Sequence, residues 1–82
     1  MASGFRLMVL AKIRELEEAN PVRLVTPTQL TEALGKNPAN VRMLLVRLLR
    51  AGLVERPWRG GYRLSEEGRR LLEEAASGEG RD

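Results

Sequence analysis

The chain has 82 residues, 43% apolar and 30% charged, with a net charge of +3 and neither cysteine nor histidine. That length predicts one domain, and the mixture is that of a globular chain rather than a disordered one. Without cysteine or histidine there are no disulfides, no thiolate metal sites and no cysteine nucleophile, and the commonest general base and metal ligand are missing.

Residues 4–19 read as a helix capped by Ser3, with Phe5, Met8, Val9, Ile13 and Leu16 as its apolar stripe and Asn20-Pro21 as its stop. Leu7 and Leu10 point away from that stripe and widen the apolar face. Val22-Arg23-Leu24-Val25 suits a short strand. Thr26-Pro27-Thr28-Gln29 spells a capping box with proline at the first helical position. The short helix it opens would bury Leu30, Ala33 and Leu34 and stop at Gly35.

Asn37-Pro38 starts a new helix at once, predicted over residues 38–51, in which Val41, Leu44, Leu45 and Leu48 follow at i, i+3, i+4 and i+7. Leu53–Trp58 and Gly61–Leu64 read as a hairpin turning at Gly60-Gly61, with Pro57 marking an edge or bulged strand. Ser65 then caps a last helix over 66–76, buried through Leu71, Leu72 and Ala75 and with Glu66 and Glu67 at the favourable end of its dipole. The expected organisation is a single domain over 1–76 with a flexible tail at 77–82.

Charge is uneven along this plan. Residues 1–35 sum to zero and residues 64–82 to −3, whereas 36–63 set Lys36, Arg42, Arg47, Arg50, Arg56, Arg59 and Arg63 against Glu55 alone, for +6. A segment of this kind is a candidate nucleic-acid footprint.

Two short helices joined by about three residues around Gly35, with a hairpin directly after them, make a helix-turn-helix pattern with a wing. The phrases Thr28–Gly35, Asn40–Leu48, Ala51–Arg56 and Gly61–Arg69 resemble the winged helix-turn-helix family, in wording close to MarR- and PadR-type transcriptional regulators. The fold implied is mainly α with a small antiparallel sheet (α+β), in the order helix, strand, helix, helix, strand, strand, helix. The resemblance implies a sequence-specific binder of double-stranded DNA, with recognition helix 38–51 in the major groove and wing 53–64 on the backbone or an adjacent groove.

Asn40 and Arg42 stand near the N-terminal end of the recognition helix, where adenine and guanine edges are within reach of asparagine and arginine. Arg47 and Arg50 suit phosphates. Met43 and Val46 occupy positions where the family usually has polar residues. Burial against another chain or a bent wing competes with groove contact for both, and Met43 is kept among the groove candidates.

Arg56, Arg59 and Arg63 add charge on the wing, Lys36 in the turn suits a phosphate, and Thr28 at a helix start is a further candidate. Trp58 is expected to pack over the small sheet rather than lean on a sugar, and Tyr62 to pack on the sheet.

Regulators of this type commonly pair through terminal helices. Leu7, Leu10, Leu71 and Leu72 exceed what one small core needs and are the expected homodimer interface. A winged helix that contacts protein partners and not DNA is the alternative, which the concentrated charge disfavours.

Three serines without a histidine and carboxylates in solvated-looking runs predict no enzyme activity. Gly60-Gly61 lacks the helix and lysine of a phosphate loop. No cofactor, metal or membrane partner is expected, and the N-terminus carries no secretory pattern, which predicts a cytoplasmic location. Arginine and glutamate dominate the charged residues, which fits a thermophile or a GC-rich genome.

Overall fold

The computed structural model describes residues 2–79 and runs α1 (Ala2–Ala19), α2 (Pro27–Leu34), α3 (Pro38–Arg50), β1 (Val54–Trp58), β2 (Gly61–Leu64) and α4 (Glu66–Glu79). α1 begins ahead of the expected start, so Ser3 lies inside the helix. α4 likewise runs through 77–79, and the remainder of the expected tail, 80–82, lies outside the described residues.

Local chemistry sets most of the boundaries. The Thr26 side chain accepts from Gln29 N–H at 3.1 Å while the Gln29 side chain accepts from Thr26 N–H at 3.0 Å, closing the capping box that starts α2. Gly35, at φ 66°, ends α2 in the left-handed conformation that a residue without Cβ adopts freely. Asn37 Oδ1 accepts from Asn40 N–H at 2.9 Å, and Pro38 opens α3. α3 closes on a Schellman pattern: Leu53 N–H reaches the Leu48 carbonyl and Gly52 N–H the Leu49 carbonyl, both at 3.0 Å, with Gly52 at φ 75°.

Ser65 Oγ accepts from Gly68 N–H at 3.1 Å to cap α4 and donates to the Gly52 carbonyl at 2.6 Å. This docks the start of α4 on the α3–β1 turn so closely that a Cβ on Gly68 would lie 2.1 Å from the Leu53 carbonyl oxygen. Only glycine fits there.

α1 is the central support, packing on α2, α4 and β2, while α3 leans on α2 and β1. The core gathers Val9, Leu10 and Ile13 of α1, Val25, Leu30 of α2, Val41, Leu45 and Leu48 of α3, then Leu53, Val54, Tyr62, Leu64 and Leu72. The buried face of α1 is therefore rotated from the expected stripe. Leu10 is fully buried, whereas Phe5 and Met8 are 41% and 45% exposed. Ala33 of α2 is exposed.

The rotation has a chemical cause, because an acid belongs to the inward face. Glu17 is 4% exposed; its carboxylate accepts from Leu64 N–H at 2.7 Å and from the Arg69 guanidinium at 2.5 Å. It ties α1 to β2 and α4 together.

The sheet is the antiparallel pair β1–β2, with Val54 opposite Leu64, Glu55 opposite Arg63 and Trp58 opposite Gly61. The register shifts at Arg56-Pro57, where proline has no N–H for a ladder bond. The turn is Arg59-Gly60, one residue earlier than expected, with Gly60 at φ 78°.

The strand expected at 22–25 is reduced to a single bridge, in which Val25 and Tyr62 exchange both backbone hydrogen bonds at 2.8 Å. Arg23, at φ 60°, breaks the extended run before it. Asn20 does not supply the left-handed residue; its side chain instead donates to the Leu24 carbonyl at 2.7 Å and accepts from Val22 N–H at 3.3 Å. On the open edge of β2, Val25 satisfies Tyr62 and Glu17 satisfies Leu64, so a carboxylate stands where a longer strand would continue. With its first strand shortened to this bridge, the element order is that of a winged helix-turn-helix.

Candidate nucleic-acid interface

α3 presents two chemistries. Val41, Leu45 and Leu48 are buried, while Asn40, Arg42, Met43, Arg47 and Arg50 are exposed and Val46 is half-buried. Its inward face is pinned by the core, which fixes the orientation of the outward one. Met43 is 55% exposed, so the wing does not fold over it.

Among the described residues the outward side chains of α3 have no acidic partner. The carboxylates that form ion pairs pair elsewhere: Glu15 with Lys12, Glu17 with Arg69, Glu55 with Arg63, and Glu66 and Glu67 with Arg70. Arg42, Arg47 and Arg50 thus keep their full charge for a ligand. Thr28, at the start of α2, is exposed as well.

The structure also brings α1 to this face. Phe5, Lys36, Asn40, Met43, Leu44 and Arg47 line a depression of about 220 Å³, and the Lys36 ammonium sits 5.2 Å from the centre of the Phe5 ring. An adjoining depression of about 230 Å³ is lined by Phe5, Arg6, Leu44, Arg47 and Leu48. Helical spacing places Phe5 in a core stripe, and Arg6 belongs to the segment whose charges sum to zero. Their place beside α3 depends on how α1 crosses it, which no local pattern encodes.

The wing divides. Arg56 and Arg59 are exposed and form no ion pair among the described residues. Arg63 lies opposite Glu55 across the ladder, and its Nε–H donates to the Glu55 carboxylate at 3.0 Å. Arg63 also lines a cleft of about 330 Å³ with Glu55, Leu64, Glu66 and Arg69, an acid-containing setting apart from α3. Both side chains of the Arg63–Glu55 pair are about half exposed. Trp58 is 70% exposed, so it does not pack over the sheet as expected; Tyr62, at 8%, does. Trp58 faces Gly61 across the ladder and has no cross-strand side chain to lie against.

Two of the four expected dimer residues belong to the core: Leu10 is 0% and Leu72 6% exposed. Leu7 and Leu71 are half-buried against that core. A groove of about 370 Å³ does run between α1 and α4; Leu7, Met8, Ala11, Leu72 and Ala75 give it a largely apolar lining, and Arg14 adds one charge.

Among the described residues no group of three acidic, histidine or cysteine side chains is placed to hold a metal ion, and no helix is long and apolar enough to cross a membrane.

No family model and no curated protein matches the chain. Among solved structures it is similar to a candidate transcriptional regulator from Pseudomonas aeruginosa PA01, with a TM-score of 0.72 and 35% identity over 87% of this chain and 47% of that one. The chain spans about half the length of that protein. The shared architecture agrees with the winged-helix order of elements.

Proposed function

We propose that the chain binds double-stranded DNA as a transcriptional regulator of the MarR/PadR type, with α3 in the major groove and the wing on the backbone. The observation that carries this reading is the set of cations without acidic partners among the described residues: Lys36, Arg42, Arg47 and Arg50 around α3, and Arg56 and Arg59 on the wing. A helix face holding arginines, an asparagine and an apolar Met43 matches the chemistry of guanine edges, adenine edges and thymine methyls. Thr28 is proposed as a further phosphate contact. The candidate regulator from Pseudomonas aeruginosa supports the same role by its description.

The chain is proposed to act as a homodimer through the α1–α4 groove, with Leu7 and Met8 at the contact in place of the fully buried Leu10.

Salt dependence tests the DNA reading. Five phosphate contacts per chain, from Lys36, Arg47, Arg50, Arg56 and Arg59, give a log–log slope of about −4.5 for affinity against salt, from about −0.9 per phosphate. Fluorescence anisotropy on a mixed-sequence duplex, followed by selection from a random pool, measures the slope and the preferred sequence. Absence of duplex binding at low salt overturns the reading in favour of a winged helix that docks on protein through exposed Met43.

A further inference from the structure

The wing tip carries a feature that backbone binding does not use. Trp58 is the most exposed of the large apolar side chains, at 70%, in a chain with one tryptophan. A ring of this size hides roughly 150–250 Å² when buried, so leaving it in water forfeits a large favourable term. Gly61, its partner across the ladder, is covered by the Leu24 side chain, and Pro57 beside it is exposed. Arg56 and Arg59 flank Trp58 in sequence, both exposed.

The support beneath it is stiff. Pro57 fixes the backbone just before Trp58, the bulge at Arg56-Pro57 sets the local twist, and the two-residue turn Arg59-Gly60 closes the hairpin directly after it. A flat aromatic held on a rigid tip between two free guanidinium groups has the chemistry of a base-stacking platform: the ring meets a base face and the cations meet the flanking phosphates. The cations on either side of the ring in sequence favour a nucleic-acid ligand, whose phosphates they can meet, over a protein one. In an intact duplex every base face is already covered by its neighbours, so such a platform gains most where a base has left the stack.

We propose that Trp58, with Arg56 and Arg59, forms a site for an unstacked base in DNA, so that the wing favours duplexes carrying an extrahelical nucleotide. The inference rests on the DNA-binding reading above and adds a ligand to it.

The test uses the whole chain and two duplexes of about 20 base pairs, identical except that one carries a single unpaired thymine. Because Trp58 is the only tryptophan, its emission reports the contact directly. The expected result is quenching by the bulged duplex and an affinity about 5- to 150-fold above that for the paired one, the range for stacking one base. Trp58→Ala should abolish that preference and leave paired-duplex affinity within about twofold, and Trp58→Phe should retain part of it. Circular dichroism confirms that the variants are folded, which the exposure of Trp58 leads us to expect. Equal affinities for the two duplexes with unquenched emission overturn the inference and leave the DNA reading standing. Failure to bind either duplex overturns both.

Discussion

Glu17 illustrates how one side chain can hold three elements. A carboxylate that is almost fully buried needs its oxygens occupied, and here one accepts the β2 backbone at Leu64 and the other the guanidinium of Arg69. Glu17→Ala strands the buried Leu64 N–H, which costs about 1–3 kcal/mol, and opens a void beside it. Glu17→Gln keeps an acceptor for Leu64 and should cost less. Arg69→Ala should cost less than Glu17→Ala too, because Arg69 is 44% exposed and water screens its part of the pair. Urea midpoints at unchanged slope would rank the three variants; a loss for Glu17→Ala no larger than that for Arg69→Ala would contradict the strand-edge role. The sequence does not reveal this residue, because Glu17 sits among Glu15 and Glu18 and only the distant Leu64 and Arg69 tell it apart. The capping residues Thr26, Asn37 and Ser65 are legible for the opposite reason, since their partners lie within three residues.

At the scale of elements, α3 and the wing divide the positive charge unequally, and the division is measurable. Arg47→Ala should reduce the salt slope of duplex binding by about 0.9, whereas Arg42→Ala should relax sequence preference at the base it contacts. Arg63→Ala should reduce the slope by less than Arg47→Ala, because that guanidinium already pairs with the Glu55 carboxylate. Equal slope losses for Arg63 and Arg47 would show that the cross-strand pair opens on DNA. The buried stripe of α3 was legible because Val41, Leu45 and Leu48 repeat at helical spacing against one continuous core. The wing was legible as a hairpin but not in its register. The bulge at Arg56-Pro57 moves the turn to Arg59-Gly60 and leaves Trp58 facing a glycine instead of a packing partner. The short strand at 22–25 failed for a related reason: β-branched residues suggest extension, but Arg23 turns the chain and Glu17 takes the next place on the sheet edge.

For the whole molecule, the question is what covers the groove between α1 and α4. Its lining combines Leu7, Met8 and Leu72 with the small Gly4, Ala11, Ala75 and Ala76, and Arg14 is its one charged residue. A dimer that reads a two-fold site needs its two α3 helices about 34 Å apart, one turn of DNA. Sequence suggested a surplus of leucines on the terminal helices. It could not separate those facing inward, because the inward face of α1 includes an acid and is rotated accordingly. That distinction decides the mutation. Leu10→Glu would put a charge at a position with no exposure and unfold the chain, saying nothing of assembly. Met8 is 45% exposed, so Met8→Glu reaches water in the single chain and should change stability by less than about 1 kcal/mol. In a dimer the same change brings a carboxylate into an apolar contact and should return the particle to the 9.2 kDa of one chain. Light scattering on the unaltered chain and on Met8→Glu decides it: twice the chain mass falling to one, with retained helical dichroism and weaker binding to a two-fold site, is the expected result. One chain mass for both proteins would rule out the paired reading and leave each copy to bind its half-site alone.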